Sequence, residues 1–256
     1  PGRVFWVGNN TTLIPGTVGG SDGNSGTFNR PFATIDFAVG MCRANIGDII
    51  MVKPGHAETI STASGITLDI AGVAIIGLGA GANRPTLSFS ATTSTIAVSA
   101  ANVSVQNILH LGTAATTFTA TAYDNANAVV ATDFCIERCE FRDSSATLGF
   151  IACFTGGTTA NQNDGLTFDN NVVLRNLTSP PAANTAVVTQ AAIDRYTFSR
   201  NFISNKAANN NIALGFALGA NAVQNLRCFG NRTYSLNTGT TAGELFSGGS
   251  TSSSGL

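Results

Sequence analysis

The sequence predicts an all-β solenoid, a parallel β-helix with about 30 residues in each coil. The first observation behind this prediction is a short pattern that recurs at a nearly constant spacing. Its five copies are eight-residue segments that start at Val103, Phe134, Leu166, Tyr196 and Leu226, and a shorter match starts at Val73. A repeat of this length indicates stacked structural units, each packed against its neighbours.

The second observation is an alternation inside each copy, which predicts β-strands. Positions one and three are apolar in all five copies, whereas positions two and four vary. A period of two is typical of a strand with one buried face. Further strands are predicted before the copies, at residues 95–98, 128–131, 186–189 and 214–217. Each coil should therefore contain two or three short strands, in parallel with those of the next coil about 4.8 Å away.

The third observation is a recurring asparagine at position six. The last three copies have Asn171, Asn201 and Asn231 there, and the first two have Ile108 and Cys139. Stacked amide side chains hydrogen-bond from one coil to the next, and asparagine tolerates a left-handed backbone. We therefore expect an asparagine ladder at a bend of the solenoid.

Composition agrees with a protein that buries much of its chain and turns often. The chain is 43% hydrophobic and 11% charged and has 28 glycines. A helical solenoid is the alternative fold for this repeat length, but the copies are rich in Val, Ile, Thr, Phe and Asn and lack long amphipathic runs.

A net charge of −1 gives no electrostatic footprint for nucleic acid or an anionic membrane. The longest apolar run, residues 66–78, is interrupted by Asp69 and Gly72, so we expect neither partner.

The N-terminal part differs in kind from the repeats. It predicts a strand at residues 4–7, a Gly/Ser-rich loop at 16–29, a short amphipathic helix at 31–39 and a strand at 48–52. A helix in this place would cover the open end of the β-cylinder. We expect one domain, with a cap and first coil at 1–56, β-helix coils at 57–242, and a Gly/Ser-rich tail at 243–256 that is flexible or ordered by a partner.

Four segments in this N-terminal part also carry a family resemblance. They are the Gly-rich stretch around Asp22, the Pro31-Phe-Ala-Thr-Ile run, residues 47–55 and residues 58–60. Their order resembles the opening of right-handed, pectate-lyase-like β-helix proteins. The resemblance implies a right-handed solenoid whose first segment is a strand, a capping helix and the first coil. The family includes polysaccharide lyases and hydrolases, phage tailspikes, adhesins and virion structural proteins, so the fold alone does not decide the function.

The best candidate for chemistry is a pair of acidic residues on the repeat. Glu137 and Asp169 share position four on adjacent coils, and Arg138 and Arg200 occupy position five two coils apart. Stacked carboxylates could form an acid/base pair, and close stacking would raise the pKa of one of them. The alternative is that they are solvated outer-face residues in ion pairs with neighbouring arginines. We favour this alternative and assign no catalytic residue.

The remaining polar candidates suit structural roles better than chemical ones. Turn capping is the expected role of the four acids near coil corners, which are Asp124, Asp143, Asp164 and Asp194. Lys53 ends a strand, and His56 beside Glu58 is expected to be a turn residue. The Gly-rich residues 77–81 lack the Lys-Ser/Thr ending of a phosphate loop, so they predict a tight bend.

Aromatic and cysteine residues complete the survey. A sugar platform would draw on Trp6, Tyr123, Tyr196 and Tyr234, but Tyr196 is an inward repeat position and Trp6 lies in the cap strand. The five cysteines are scattered, and Cys139 and Cys228 are expected inside the core. We expect no zinc site, no cofactor and a reducing compartment.

These observations together predict a non-enzymatic structural role. Three features favour a phage capsid decoration protein, located on the virion. They are the family resemblance, a surface rich in small neutral residues, and the lack of a convincing group of catalytic residues. We expect it to form a homotrimer bound to the major capsid protein, made in the host cytoplasm without a signal peptide. Irregular segments at 115–127, 155–165 and 176–185 are expected on one side of the cylinder, where partners would bind. The alternatives are a tailspike-like protein that binds or cleaves polysaccharide and a bacterial surface adhesin.

Overall fold

The computed structural model describes residues 1–9, 16–114, 118–125, 129–176, 185–205, 213–218, 223–235 and 244–248. These residues contain one α-helix, α1 (Ile35–Gly40), and a short 3-10 helix, Gly81–Asn83. The strands are β1 (Val4–Val7), β2 (Ile49–Val52), β3 (Ala57–Ile60), β4 (Ile66–Leu68), β5 (Ala74–Gly77), β6 (Thr86–Phe89), β7 (Ile96–Val98), β8 (Ser104–Gln106), β9 (Leu109–Gly112), β10 (Thr119–Asp124), β11 (Cys135–Glu137), β12 (Glu140–Asp143), β13 (Phe150–Thr155), β14 (Thr167–Asp169), β15 (Val172–Arg175), β16 (Thr185–Thr189), β17 (Ile193–Asp194), β18 (Thr197–Ser199), β19 (Phe202–Asn205), β20 (Ala213–Leu218), β21 (Val223–Gln224), β22 (Arg227–Phe229), β23 (Arg232–Ser235) and β24 (Glu244–Gly248).

Nearly all of these strands form three long sheets that run the length of the molecule. Sheet 1 has the order β1-β2-β5-β8-β11-β14-β18-β22, sheet 2 has β3-β6-β9-β12-β15-β19-β23, and sheet 3 has β4-β7-β10-β13-β16-β20-β24. The remaining strands, β17 and β21, pair with each other at a corner. Each strand pairs in parallel with its equivalent one coil away, as β11 does with β8 and β14. The chain is therefore a right-handed parallel β-helix, which confirms the predicted fold class.

The core lies inside the three sheets and is built from the predicted inward positions. Position three is the middle of a sheet 1 strand, and Val105, Ile136, Phe168 and Phe198 are all buried there. The Phe168 and Phe198 rings stack with centroids 5.6 Å apart and an interplanar angle of 7°. Because equivalent residues line up in columns, each coil extends the same apolar core without widening it.

In each repeat copy, the sheet 1 strand lies between two corners, and one residue at each corner has a left-handed backbone conformation. The first precedes each copy, at Asn102, Asp133, Gly165, Arg195 and Asn225, and the second is position five, at Asn107, Arg138, Asn170, Arg200 and Gly230. The asparagines of position six are not among the residues with positive φ. Our expectation that the ladder asparagine itself carries the left-handed turn was therefore wrong by one residue.

The asparagine ladder itself is confirmed. Asn171 Oδ1 accepts from the backbone N–H of Cys139 at 2.9 Å, and its Nδ2 donates to the Ile136 carbonyl at 3.0 Å. Asn201 repeats both bonds one coil later, to the Asn171 N–H at 2.9 Å and the Phe168 carbonyl at 2.9 Å. The amide oxygen satisfies a backbone N–H at the bend between sheets 1 and 2, and the amide nitrogen adds a bond to a strand carbonyl.

The N-terminal cap contains a helix that is shorter than predicted. Helix α1 begins at Ile35, not Pro31, because Phe32 makes a parallel bridge to Val7 in extended conformation. Asp22 Oδ1 accepts from the N–H groups of Ala33 at 2.9 Å and Thr34 at 3.1 Å, holding the chain outside the helix. The helix is thus delayed by hydrogen bonds from a distant loop, which local sequence does not reveal.

Two further expectations need correction, and a third segment contains an additional strand. Residues 129–131 are not a strand, because β10 at Thr119–Asp124 takes that place in sheet 3 and pairs with β7 and β13. Segment 155–165 joins sheet 3 to sheet 1, whereas segment 176–185 follows strand β15 of sheet 2, so the two segments do not begin at one phase of the repeat. Residues 177–184 lie outside the described part of the chain. Strand β24 of sheet 3 lies within the segment predicted as a tail, and residues 249–256 lie outside the described part.

Within the described residues, the helices are too short to span a lipid bilayer.

Candidate functional site

The outer face of sheet 1 brings Glu137 and Asp169 together as predicted. The two residues are direct neighbours in the register of β11 and β14. Asp169 is buried, however, and lies under the Arg200 guanidinium, whose Nε donates to its Oδ1 at 2.9 Å and whose Nη2 contacts its Oδ2. Ser199 Oγ donates to the same Oδ1 at 2.6 Å. Asp169 is therefore not the solvated surface acid that the sequence predicted.

The electrostatics of Asp169 oppose a role as proton donor near neutral pH. Burial alone would raise the pKa of this carboxyl, but the hydrogen bonds from Arg200 and Ser199 outweigh burial and hold the pKa below its usual range. Stacking against Glu137 therefore does not raise the pKa of Asp169. Both carboxylate oxygens accept hydrogen bonds, so the group is held as an anion by its partners.

Glu137 also lies beside an arginine. Arg138 Nε is 3.4 Å from Glu137 Oε1, and the Arg138 Nη2 group donates to Gln106 Oε1. The two arginines of position five are thus each paired with a position-four residue, as the alternative interpretation of this set predicted. The arrangement is a ladder of charge pairs along the outer face of sheet 1.

The corner acids make backbone and ion-pair contacts inside the fold. Asp143 is buried, accepts from the Phe150 N–H at 3.1 Å and the Asn176 N–H at 2.8 Å, and lies 3.6 Å from Arg175 Nη1. Asp164 accepts from the Asp194 N–H at 2.8 Å. These contacts agree with the predicted turn-capping role. Burial raises the pKa of Asp124, which ends strand β10.

His56 and Glu58 support the capping helix. His56 closes a turn, as predicted, because its backbone N–H donates to the Lys53 carbonyl at 3.2 Å. Its side chain is buried: Nδ1 accepts from the Asn9 N–H at 3.2 Å, and Nε2 lies 3.1 Å from Glu58 Oε2. Glu58 Oε2 also accepts from the N–H of Ile35, the first residue of α1, at 3.1 Å. Burial lowers the pKa of Lys53, whose Nζ lies 4.4 Å from the centre of the Phe28 ring.

A second histidine lies in the core in contact with a tyrosine. His110 Nε2 is 2.6 Å from the Tyr123 hydroxyl, and its ring stacks on Phe141 at 4.4 Å. Burial lowers the pKa of His110 to about 3, so the imidazole is neutral at physiological pH. Tyr196 is buried as expected, Trp6 packs edge-on against Phe28, and Tyr234 is exposed. These aromatic residues do not form a shared sugar platform.

No group of three or more His, Cys, Asp or Glu side chains in the described ranges could hold a metal ion. The five cysteines are free thiols, and Cys139 is buried in the core as predicted.

A groove lies where the first left-handed corner meets the outer face of sheet 1, and we call it the corner groove. Its volume is about 680 Å³, and its described lining residues are Asp133, Gly165, Thr167, Arg195, Thr197, Asn225, Leu226 and Arg227. Asp133, Gly165, Arg195 and Asn225 are equivalent corner residues on four successive coils, so the groove runs along the solenoid axis for about 14 Å. Sequence analysis missed this groove, although the position before each copy is polar or glycine from Asn102 onward.

Charged and hydroxyl groups line the corner groove. Arg195 Nη1 donates to Asp133 Oδ1 at 2.9 Å, and both side chains are about half exposed, at 55% and 42%. Arg227 is also exposed. Thr167 and Thr197 occupy position two of adjacent sheet 1 strands and place hydroxyl groups along the wall.

Comparisons with known proteins assign this chain to no family. No known protein family matches the sequence, and no curated protein matches it. A rhamnogalacturonan lyase is a similar solved structure, with a TM-score of 0.48 and 13% sequence identity. The alignment covers 96% of this chain and 65% of that one, so the chain spans about two thirds of the neighbour's length. A likeness this distant supports no inference about activity. The fold assignment rests on the parallel strand pairing described above.

Proposed function

We propose that this protein is a non-enzymatic structural protein of a virion surface, a capsid-decorating β-helix that assembles as a homotrimer. The observation that carries the non-enzymatic part is the pairing of Asp169 with Arg200 and Ser199. A general acid or base needs a pKa near the working pH, whereas these contacts lower the pKa of Asp169. The most promising carboxylate pair of the sequence is thus engaged in holding the coils together.

Exposed apolar residues near the N-terminal end support an assembly role. Val4, Phe37, Met41 and Ile46 are all exposed. The contacts of the first strand bring Met41 close to it, because Arg3 Nη2 donates to the Met41 carbonyl at 2.8 Å. An apolar patch that is contiguous and stays exposed on a single chain is typical of a contact with another protein. Such a surface suits attachment to a neighbouring chain in a particle.

The oligomeric state is the first test of this proposal. Light scattering after size-exclusion chromatography should give about three times the protomer mass of 26.2 kDa, and the trimer should survive strong dilution. A monomer at all concentrations contradicts the trimer. Co-sedimentation with virus particles from the same source then tests the location, and a protein that stays in the supernatant contradicts it.

Polysaccharide cleavage is the second candidate, because the adjacent register of Glu137 and Asp169 was its predicted basis. The ion pairs around both residues disfavour it. We expect no release of unsaturated sugars from uronate polysaccharides by the wild-type protein. Cleavage that is lost in both Glu137→Gln and Asp169→Asn, with Asp69→Asn as an exposed control, would instead establish an enzyme.

A further inference from the structure

The outer face of sheet 1 is apolar on its first three strands, β1, β2 and β5. Phe5, Ile50 and Ile75 are buried in the middle of these strands, and successive side chains of a strand point to opposite faces. The residues on either side of them therefore point outward, and all six are apolar. They form two columns in register, Val4, Ile49 and Ala74 in one and Trp6, Met51 and Ile76 in the other. We call these six residues the apolar face.

The apolar face is open to solvent. Val4 is 50% exposed, and the other five side chains are partly exposed. Trp6 packs edge-on against Phe28 with ring centroids 4.9 Å apart, and Phe28 is itself exposed, so the apolar surface continues onto the N-terminal loop. A contiguous apolar patch of this kind marks a contact with another protein.

The apolar character is confined to this part of the molecule. Beyond β5 the same two columns become mostly polar, with Ser104 and Gln106 in β8, Cys135 and Glu137 in β11, and Thr167 and Asp169 in β14. At the same end of the solenoid, the outer face of sheet 2 carries Thr59, Thr86 and Ser88. The outer face of sheet 1 is thus divided along the solenoid axis into an apolar half and a charged half.

This division favours a second copy of the chain as the partner, in one orientation. A copy rotated about an axis parallel to the solenoid presents each strand at the same height, so apolar residues meet apolar residues. The ion pairs of Glu137 with Arg138 and of Asp169 with Arg200 then meet the same ion pairs of the neighbour. A copy turned end over end would press those charges onto the apolar face, and their desolvation is costly.

The size of a stable interface also requires more of sheet 1 than its apolar half. Each partner in a typical stable interface contributes roughly 20 to 30 residues, whereas the apolar face has six. The polar strands that follow must therefore lie in the contact, which the same-height arrangement allows. A rotation of this kind through one third of a turn closes into a ring of three.

We propose that the apolar face is the centre of the contact between copies of this chain, which associate side by side and point in the same direction. The proposal rests on the homotrimer proposed above and adds the surface and the orientation through which the trimer forms.

A charge placed in the apolar face tests this assignment. Met51→Glu puts a carboxylate at the middle strand of the face, and burying it without a partner should weaken association about a hundredfold or more. Light scattering should then give the protomer mass of 26.2 kDa at concentrations where the wild type is a trimer. Leu111→Glu is the matched control, since Leu111 is a partly exposed apolar residue on the outer face of sheet 2, and its mass should stay that of the trimer.

A mixing experiment separates a lost contact from a damaged fold. Met51→Lys should also be monomeric by itself. When the Met51→Glu and Met51→Lys chains are mixed, trimers should return, because position 51 of one copy lies beside position 51 of the next and the opposite charges attract. A misfolded variant would not be rescued in this way.

Four results would overturn the assignment. They are a Met51→Glu protein that remains trimeric, equal dissociation of Leu111→Glu, no recovery of trimers on mixing, and a trimeric Met51→Glu protein that no longer sediments with virus particles. The last result would assign the apolar face to a capsid partner. A monomeric wild type would instead contradict the homotrimer itself, so the wild-type mass and the variant masses distinguish the two failures.

Discussion

Whether a single polar residue can be buried in this fold depends more on its hydrogen-bonding and packing partners than on its residue type. His110 is enclosed in the core because Tyr123 supplies a hydrogen bond at 2.6 Å and Phe141 supplies a stacking surface. Asp48 is equally buried, and there burial raises the pKa but hydrogen bonds from Arg3 and the Arg43 N–H outweigh it and lower the pKa to about 2. Repeat position alone predicts that a side chain points inward, but not that a polar one will be satisfied there.

The buried imidazole predicts a pH dependence of stability. Burial lowers the pKa of His110 to about 3, against about 6.5 in an unfolded chain. Between these values the unfolded state binds the additional proton, so the free energy of unfolding should rise as pH increases from about 3 to about 6.5. Urea unfolding across that range measures it.

Two variants isolate the histidine in that experiment. The double variant His110→Phe with Tyr123→Phe leaves an apolar pair in the core. It should weaken the pH dependence of the free energy of unfolding by the equivalent of up to one bound proton. Tyr123→Phe alone keeps the histidine and should retain the dependence, at a cost of about 1 kcal/mol for the lost hydrogen bond. An identical pH profile for the double variant and the wild type contradicts the assignment to His110.

At the scale of elements, the bend between sheets 1 and 2 depends on two neighbouring positions with different tasks. Position five turns the backbone and takes Asn, Arg or Gly in the left-handed region. Position six then directs an asparagine amide to the preceding coil, as Asn171 and Asn201 show. Where Cys139 stands at that position, its Sγ instead donates to the Val105 carbonyl at 3.7 Å. The amide form provides stronger bonds and fixes the register between coils.

Loss of one ladder amide should therefore destabilise the solenoid. Asn201→Ala removes the bonds to the Asn171 N–H and the Phe168 carbonyl, leaving the buried Asn171 N–H without its acceptor. We expect a loss of about 2–4 kcal/mol in the free energy of unfolding. Asn170→Gly is the matched control, since Asn170 is exposed and left-handed, with φ of 53°, and glycine adopts that conformation easily. Equal losses for both variants would contradict a specific role of the ladder.

For the whole molecule, the N-terminal end of the β-cylinder is closed by helix α1. Ile35, Ala38 and Val39 of the helix are buried, and Ile35 lines a small apolar cavity together with Ile66 and Leu68 of strand β4. An open end would leave apolar columns and unpaired strand edges in water. The cap is held from both sides, by Glu58 at its first N–H and by Asp22 on the preceding residues.

Opening this cap should affect the whole solenoid. Ile35→Ser should lower the free energy of unfolding by about 3 kcal/mol through the lost apolar contact, and it should increase binding of a dye that reports exposed apolar surface. Met41→Ser, on an exposed side chain just after the helix, is the control and should leave both unchanged. Unaltered thermal stability of the Ile35 variant would show that the helix does not close the core.

The sequence by itself determined the architecture. Alternation at positions one and three, the spacing of the copies and the asparagines of position six were sufficient, because each is a local property that stacking repeats in every coil. It could not place the start of α1, which depends on Asp22 bonding across a loop, or the strand at Thr119–Asp124. The tertiary structure alone decided that Arg200 closes over Asp169 and that the corner groove is open beside Arg227. The physical reason is that a long charged side chain can reach several residues on neighbouring coils. Which ion pair forms depends on the rotamer and on the register between coils, and the sequence of a single repeat specifies neither.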